Sequence, residues 1–495
     1  MKKTLRFFSL VFTLLLLGSI LASCLDEKEE APGETSSDSQ TILGDMGTTV
    51  PPDEEDIIVS RADYDDGIGE NRYDGEKFRI FAQERFSGYA FSEGIVGDVI
   101  KDAIYERNLK VEERFGIDLV FILGAEEKMC NDFRTVVLAG SDEYDLFMGH
   151  QLYSAKIFTS GVFADWNQTG IDFSKPWFPA FVTDSVTINN RIYLTISDIC
   201  LSTAARSTCI FYNMDIASQY NIENPYALVE SGGWTLDKLT ELAKDVYLDL
   251  DSDGTRSAAD LYGASADATN NYVAGYIYSL QMDNVIIGAD GRVLSNFGSE
   301  RNLGIIEKLC YLFQDTAGGY MKDNFADNVA RFTNGKVLFQ HGVLEWGDTY
   351  YRTGCEFDYG ILPYPKYDTA QKSYYSFPGG ATSIIGLPIT ATRNELVRDV
   401  VTVMSAETWK VALPLYTEQS LKYKIARDEQ SVTTIGLVLD GRVFDFAGMY
   451  DGFQGYTYSL YKMMQNRGNL ASYIKTMDKI VCKYYEKVAE MFYKN

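Results

Sequence analysis

Histidine is nearly absent from this chain, with 2 residues in 495. That scarcity argues against zinc hydrolases and against most chemistry that runs through an imidazole. None of the 7 cysteines forms a CxxC pair, which removes zinc knuckles and thioredoxin-like redox motifs. A Gly-rich phosphate loop, a GxSxG elbow and an HExxH helix are all missing. Basic residues are outnumbered, 45 Lys and Arg against 70 Asp and Glu, for a formal charge of −25. Duplex binding needs clustered cations on phosphates, so a nucleic-acid partner is excluded. After the N-terminal residues no run approaches the ~18 consecutive apolar residues of a membrane span. What is present is core-forming material: 46% hydrophobic residues, with 34 Tyr, 28 Phe and 5 Trp. At ~100–200 residues per core, a chain of this length is expected to fold as two or three.

Lys2, Lys3 and Arg6 precede an apolar run from Phe7 to Ile20, too short to span a bilayer and suited to an export signal. Leu21-Ala22-Ser23-Cys24 resembles a bacterial lipobox, which implies cleavage after residue 23 and lipidation of Cys24. Residues 24–74 read as a linker. Between Asp26 and Asp74 stand 16 acidic residues against Lys28, Arg61 and Arg72. Such a stretch buries too little surface to offset its chain entropy, and its charges repel one another. Much of the net charge therefore describes a spacer and says little about a partner. The other cysteines, Cys130, Cys200, Cys209, Cys310, Cys355 and Cys482, are widely spaced and expected to be mostly buried thiols. Cys200 and Cys209 are the one local pair that could bridge.

The body begins with alternating periods. Lys77–Ala82 is a short strand, and Asp98–Phe115 an amphipathic helix ended by Gly116. Ile117–Leu123 is a second strand, Asp132–Ala139 a short helix, and Tyr144–Met148 a third strand. Strand–helix–strand order implies parallel pairing with right-handed crossovers, and in open sheets of this kind ligands collect at the carboxyl ends of the strands. Two polar breaks, one near residues 198–207 and one near 366–376, suit segments that pass between lobes.

The segments DAIYERNLKVEERFGIDL, YDLFMG followed by GVFADWN, GWTLDKLTELAKDV, FTNGKVLFQHG and FDYGILPYPKYD occur in this order over residues 77–495. Together with the lipobox they resemble the family 1 extracellular solute-binding proteins, the sugar-binding components of ABC importers. The resemblance implies an α/β, two-lobed periplasmic-binding-protein-like fold of type II. Each lobe would be a mixed sheet flanked by helices, joined to the other by crossover hinge segments. Lobe one is expected at 75–197 plus about 376–430, and lobe two at 208–365 plus about 431–495. The implied protein is no enzyme. It would be a monomer, lipid-anchored on the extracytoplasmic face of the cell membrane, capturing a mono- or oligosaccharide and delivering it to the transmembrane subunits of a permease. Two other readings stay open: an anchored glycoside hydrolase, which needs two carboxylates ~5–10 Å apart, and a ligand-presenting sensor subunit without transport.

Residues 249–260 read DLDSDGTRSAAD, with Asp249, Asp251 and Asp253 at alternate positions, then Gly254, Thr255 and Asp260. That is the spacing of a 12-residue calcium loop, with the Thr255 carbonyl at position 7 and Asp in place of the final Glu. A structural Ca2+ is expected here, and no other cofactor. Sugars are held by aromatic faces and by planar amides, carboxylates and guanidinium groups. On that chemistry the candidates at strand ends and polar breaks are Glu84, Arg85, His150, Gln151, Asp198, His341, Glu345, Trp346 and Phe377. Trp166 and Trp234 are expected to pack beside the cleft.

Overall fold

The computed structural model describes residues 60–493 except 268–270, 289–290, 323 and 454. The expected signal sequence, the expected lipidation site Cys24 and the expected spacer up to residue 59 lie outside the described residues. Two six-stranded mixed sheets each carry a lobe. The first uses β1 (Lys77–Gln83), β2 (Asp118–Gly124), β3 (Leu146–His150), β4 (Phe163–Ala164) and β5 (Leu194–Thr195). The second uses β6 (Thr208–Asn213), β7 (Tyr247–Leu248) and β8 (Leu261–Ser265), with β11 (Gly319–Tyr320), β12 (Val337–Val343) and β13 (Tyr359–Leu362). Between them in sequence, β9 (Val285–Ile287) and β10 (Val293–Ser295) form a separate hairpin. Finally β14 (Ser383–Pro388) returns to the first sheet.

In the first sheet β2, β1 and β3 run parallel, and β14 enters antiparallel between β3 and β4, also pairing with β5. In the second sheet β11, β8 and β12 are parallel, while β6 and β13 add antiparallel. The chain thus passes between sheets through residues 196–207 and 363–382.

Local chemistry places the elements. The helix Val99–Phe115 starts at Asp98, whose carboxylate accepts from the Ile100 and Lys101 amides at 3.1 and 3.0 Å. It stops at Gly116 with φ +70°, where a Cβ would also sit 2.1 Å from Asp74 Oδ1. Ile100, Ala103, Ile104, Val111 and Phe115 face inward. Each fully buried Ile, Val or Phe among them contributes roughly 1.5–3 kcal/mol. The next helix, Glu126–Leu138, starts six residues before the expected Asp132, with Glu126 and Glu127 in its first turn, where carboxylates favour the helix dipole.

Two boundaries differ from expectation. Residues 61–74, expected to belong to the spacer, pack on the folded body. Tyr64 packs edge-on against Trp177 and Trp409, Arg61 lies 4.2 Å over the Trp409 ring, and Tyr73 donates to Asp399 at 2.7 Å. Two aromatic rings and one cation anchor a stretch whose composition reads as disordered. The C-terminal region also weaves between the lobes and does not divide near residue 430. The helix Asn394–Glu407 packs on Val99–Phe115, and Glu429–Asp440 packs on β13. Phe446–Met449 then packs on Gln151–Phe158, and Ser459–Gln465 on Glu300–Cys310. The last helix, Leu470–Tyr493, touches both: Asp478 accepts from Ser295 near its start and the Phe492 carbonyl accepts from Asn189 near its end. All six cysteines from Cys130 to Cys482 are free thiols, five of them buried, so Cys200 and Cys209 are not bridged.

Candidate functional site

The carboxyl ends of the parallel strands of each lobe carry polar and aromatic groups that meet at the first crossing segment. Arg206, in that segment, is 3% exposed. Its guanidinium donates to Glu345 Oε2 at 2.8 Å and to the Tyr272 hydroxyl at 3.0 Å, both in the second lobe. The other oxygen of Glu345 accepts from Tyr89 of the first lobe at 3.2 Å. Phe86, on the same turn after β1, lies 5.7 Å beneath the guanidinium, and Tyr416 meets Tyr89 edge-on. First lobe, crossing segment and second lobe therefore share one hydrogen-bonded cluster. Burial would lower the Arg206 pKa, but Tyr272 and Glu345 outweigh it and raise it, so the cation is permanent. Burial also raises Tyr89 and Tyr272, which keeps both phenols neutral donors.

His150 ends β3, with its ring 4.5 Å from Tyr153 and its Nδ1 without a hydrogen-bond partner among the described residues. Burial, then the charges of Arg85, Arg206 and Lys156, push its pKa down to about 3. It is a neutral imidazole, able to donate or accept one bond with a ligand. Tyr458 has its pKa raised by burial and then by Tyr153, Asp451, Asp267 and Tyr272, which puts it within electrostatic reach of both lobes. Aromatic rings with hydroxyls, a fixed guanidinium–carboxylate pair and a neutral imidazole can stack on apolar ring faces and bond hydroxyl groups.

Of the sequence candidates, His150 and Glu345 stand at this cluster, and Arg85 lies nearby on the surface, paired with Glu126 at 3.1 Å. Glu84 is exposed on the same turn. Trp346 is buried and meets Tyr272 edge-on at 4.5 Å, so it backs the cluster and does not line it. His341, Gln151 and Phe377 are corrections: all three are core residues. His341 holds the Ser265 carbonyl through Nδ1 at 2.8 Å and the Tyr276 hydroxyl through Nε2 at 2.6 Å, leaving no ring nitrogen for a ligand. Gln151 Nε2 donates to the carbonyls of Gly448 and Met449. Phe377 stacks on Tyr278 at 4.4 Å with the rings 9° from parallel. Asp198 is also away from the cluster, buried near Arg442 and Arg61, and burial pushes its carboxyl up to about 7 against their pull. Trp166 and Trp234 are fully buried. Phe86, Tyr89, Tyr153, Arg206, Tyr272 and Tyr458 escaped the sequence reading. Arg206 alone left a trace, as the one basic residue in the polar break 198–207.

The acidic loop on the second lobe has ligand atoms of Asp249, Asp251 and Asp253 within 4.8 Å of one another. Asp249 Oδ2 accepts from the Gly254 amide at 2.8 Å, and Gly254 has φ +74°. Asp260, fully buried, turns its carboxylate to the Leu250 and Ser257 amides at 3.3 and 2.8 Å. Burial and then the neighbouring Asp253, Asp249 and Asp260 outweigh one backbone bond and raise Asp251. The donor set is all oxygen, which suits a hard divalent cation.

No protein-family model matches the sequence, and no curated protein matches it. Solved structures do. A cyclic α-maltosyl-1,6-maltose binding protein from Arthrobacter globiformis is 10% identical, with a TM-score of 0.57 over 83% of this chain and 99% of its own. An ABC substrate-binding protein from Listeria monocytogenes in complex with cycloalternan is 14% identical, with a TM-score of 0.51 over 83% and 99%. An ABC transporter solute-binding protein from Agrobacterium radiobacter K84 in complex with ribitol is 11% identical, with a TM-score of 0.52 over 83% and 100%. The described part of this chain has the two-lobed α/β fold of these solute-binding proteins, with mixed sheets flanked by helices.

Proposed function

We propose that this protein is an extracytoplasmic solute-binding receptor of an ABC importer, of the family 1 type. It captures a carbohydrate between its lobes and passes it to a permease, without chemical turnover. The observation that carries this reading is the cluster of Phe86, Tyr89, Arg206, Tyr272 and Glu345. It is drawn from both lobes and the segment between them, and composed of the groups that bind saccharides. The fold neighbours support it: one is a cyclic α-maltosyl-1,6-maltose binding protein, one is in complex with cycloalternan and one with ribitol. In such a clamp the ligand stabilises the closed arrangement by its differential contacts. Cys24 would carry the lipid anchor, and no described helix is long and apolar enough to cross a membrane. The 249–260 loop would hold a structural Ca2+.

The test is calorimetric titration of the protein with maltodextrins, cyclic glucans, pentitols and common monosaccharides, paired with small-angle scattering. A saturable heat with one ligand class and a smaller radius of gyration in its presence is expected. If no saccharide or sugar alcohol binds, the carbohydrate assignment fails; if a bound sugar is cleaved, the receptor assignment fails.

A further inference from the structure

Arg107, on the helix Val99–Phe115, is 4% exposed and bonds none of the side chains of the interlobe cluster. Its Nε donates to Asn108 Oδ1 at 3.0 Å. Nη1 donates to the Ile199 carbonyl and to the Thr408 hydroxyl, both at 2.8 Å. Nη2 donates to the Ala90 carbonyl and, at 2.7 Å, to Asn108 Oδ1. Every N–H of the guanidinium is thereby used, and none of these acceptors is ionised. Burial pushes its pKa down to about 10, so the group is still a cation at pH 7.

A buried cation without a counter-ion is costly, and an apolar side chain of similar length would fill the same space. What the planar fork adds is direction, fixed toward several stretches of chain at once. Ala90 follows Tyr89 on the aromatic turn after β1, and Ile199 lies in the first crossing segment upstream of Arg206. Thr408 continues into the helical stretch that carries Tyr416, the ring that meets Tyr89 edge-on. The turn is laced to the crossing segment at two more points. The Leu201 amide donates to the Tyr89 carbonyl at 3.2 Å, and the Cys200 thiol to the Phe86 carbonyl at 3.9 Å.

We infer that Arg107 is a positioning residue of the interlobe cluster. Through Ala90 and Ile199 it holds the turn that carries Phe86 and Tyr89 against the first crossing segment. Phe86 thus stays beneath the Arg206 guanidinium, and the Tyr89 hydroxyl stays aimed at Glu345. The inference rests on the reading of this cluster as the ligand site, yet its test needs no ligand, so a failed saccharide titration and a failed positioning test are told apart.

The test is a pair of double-mutant cycles read by urea unfolding of the full chain, run in wild type and again in Arg107→Lys. Lysine keeps the charge but lacks the fork. In wild type, Tyr89→Phe with Glu345→Ala should give a coupling of about tenfold in the unfolding constant, as a bond to a charged group does. In Arg107→Lys that coupling should fall below about twofold, while the coupling of Arg206→Met with Glu345→Ala stays within about twofold of its wild-type value. Arg107→Met takes the place of the lysine variant if that one does not fold. An unchanged Tyr89–Glu345 coupling breaks the link, and a fall in both couplings together makes Arg107 a general support of the fold; either result overturns the proposal.

Discussion

The Arg206–Glu345 pair can be weighed by a double-mutant cycle. Their side chains are 4% and 19% exposed, so neither charge is well served by water. Arg206→Met leaves the Glu345 carboxylate with the Tyr89 hydroxyl as its one remaining recorded donor. Removing one member of a buried pair costs about 3–5 kcal/mol, and the partial access of Glu345 to solvent brings the expected loss to about 2–3 kcal/mol. Glu345→Gln keeps the shape but strands a guanidinium that retains the Tyr272 hydroxyl, at a similar cost. The double variant strands neither charge. It should be destabilised by little more than either single change, which gives a coupling energy of about 2 kcal/mol. Urea unfolding reads this directly, provided the four m-values agree. Costs that add to within about 0.5 kcal/mol would refute the view that the two charges depend on each other.

Acidity supplies a second test. The Asp198 carboxyl is raised to about 7, above the ~3.9 of an unfolded Asp, so the native state holds this proton longer. Its contribution to stability is therefore fullest below pH 4 and is lost as pH rises toward 7. Asp198→Asn removes that dependence, so the variant should gain about 1–3 kcal/mol on wild type between pH 5 and pH 8 in denaturant midpoints; a constant difference refutes the assignment. Calcium supplies a third. Added Ca2+ should raise the melting temperature of wild type and leave Asp251→Ala unmoved, and an equal response from both sinks the metal loop.

Local rules carried the sequence reading as far as local signals reach. Asp98 and Gly116 mark the two ends of one helix by chemistry confined to a few residues, and the structure has both of them in that role. The lobes were also legible, because alternating periods and two polar breaks are visible along the chain. Side-chain direction at strand ends was not. His341 was expected at a strand end but lies inside β12, two residues before its end, and faces Tyr276 in the core because β12 is buried on both faces. Without a polar face there is no alternation to tell the two directions apart. The partners of Arg206 lie 66 and 139 residues away, beyond any spacing rule. The segment 61–74 failed for a related reason: Tyr64 and Trp409 are invisible to each other in composition.

The position of β14 has a consequence for synthesis and folding. It sits inside the first sheet, between β3 and β4, although it comes after the entire second sheet in sequence. A chain emerging from its N-terminus thus makes β1, β2 and β3 long before the strand that joins them to β4 and β5 exists. Domain-by-domain folding in order of appearance is therefore closed to the first lobe. Its sheet cannot be completed until residue 388 is free, and the helix that touches both lobes arrives only with the last twenty-odd residues. The two lobes have separate sheets in space but form a single unit in time.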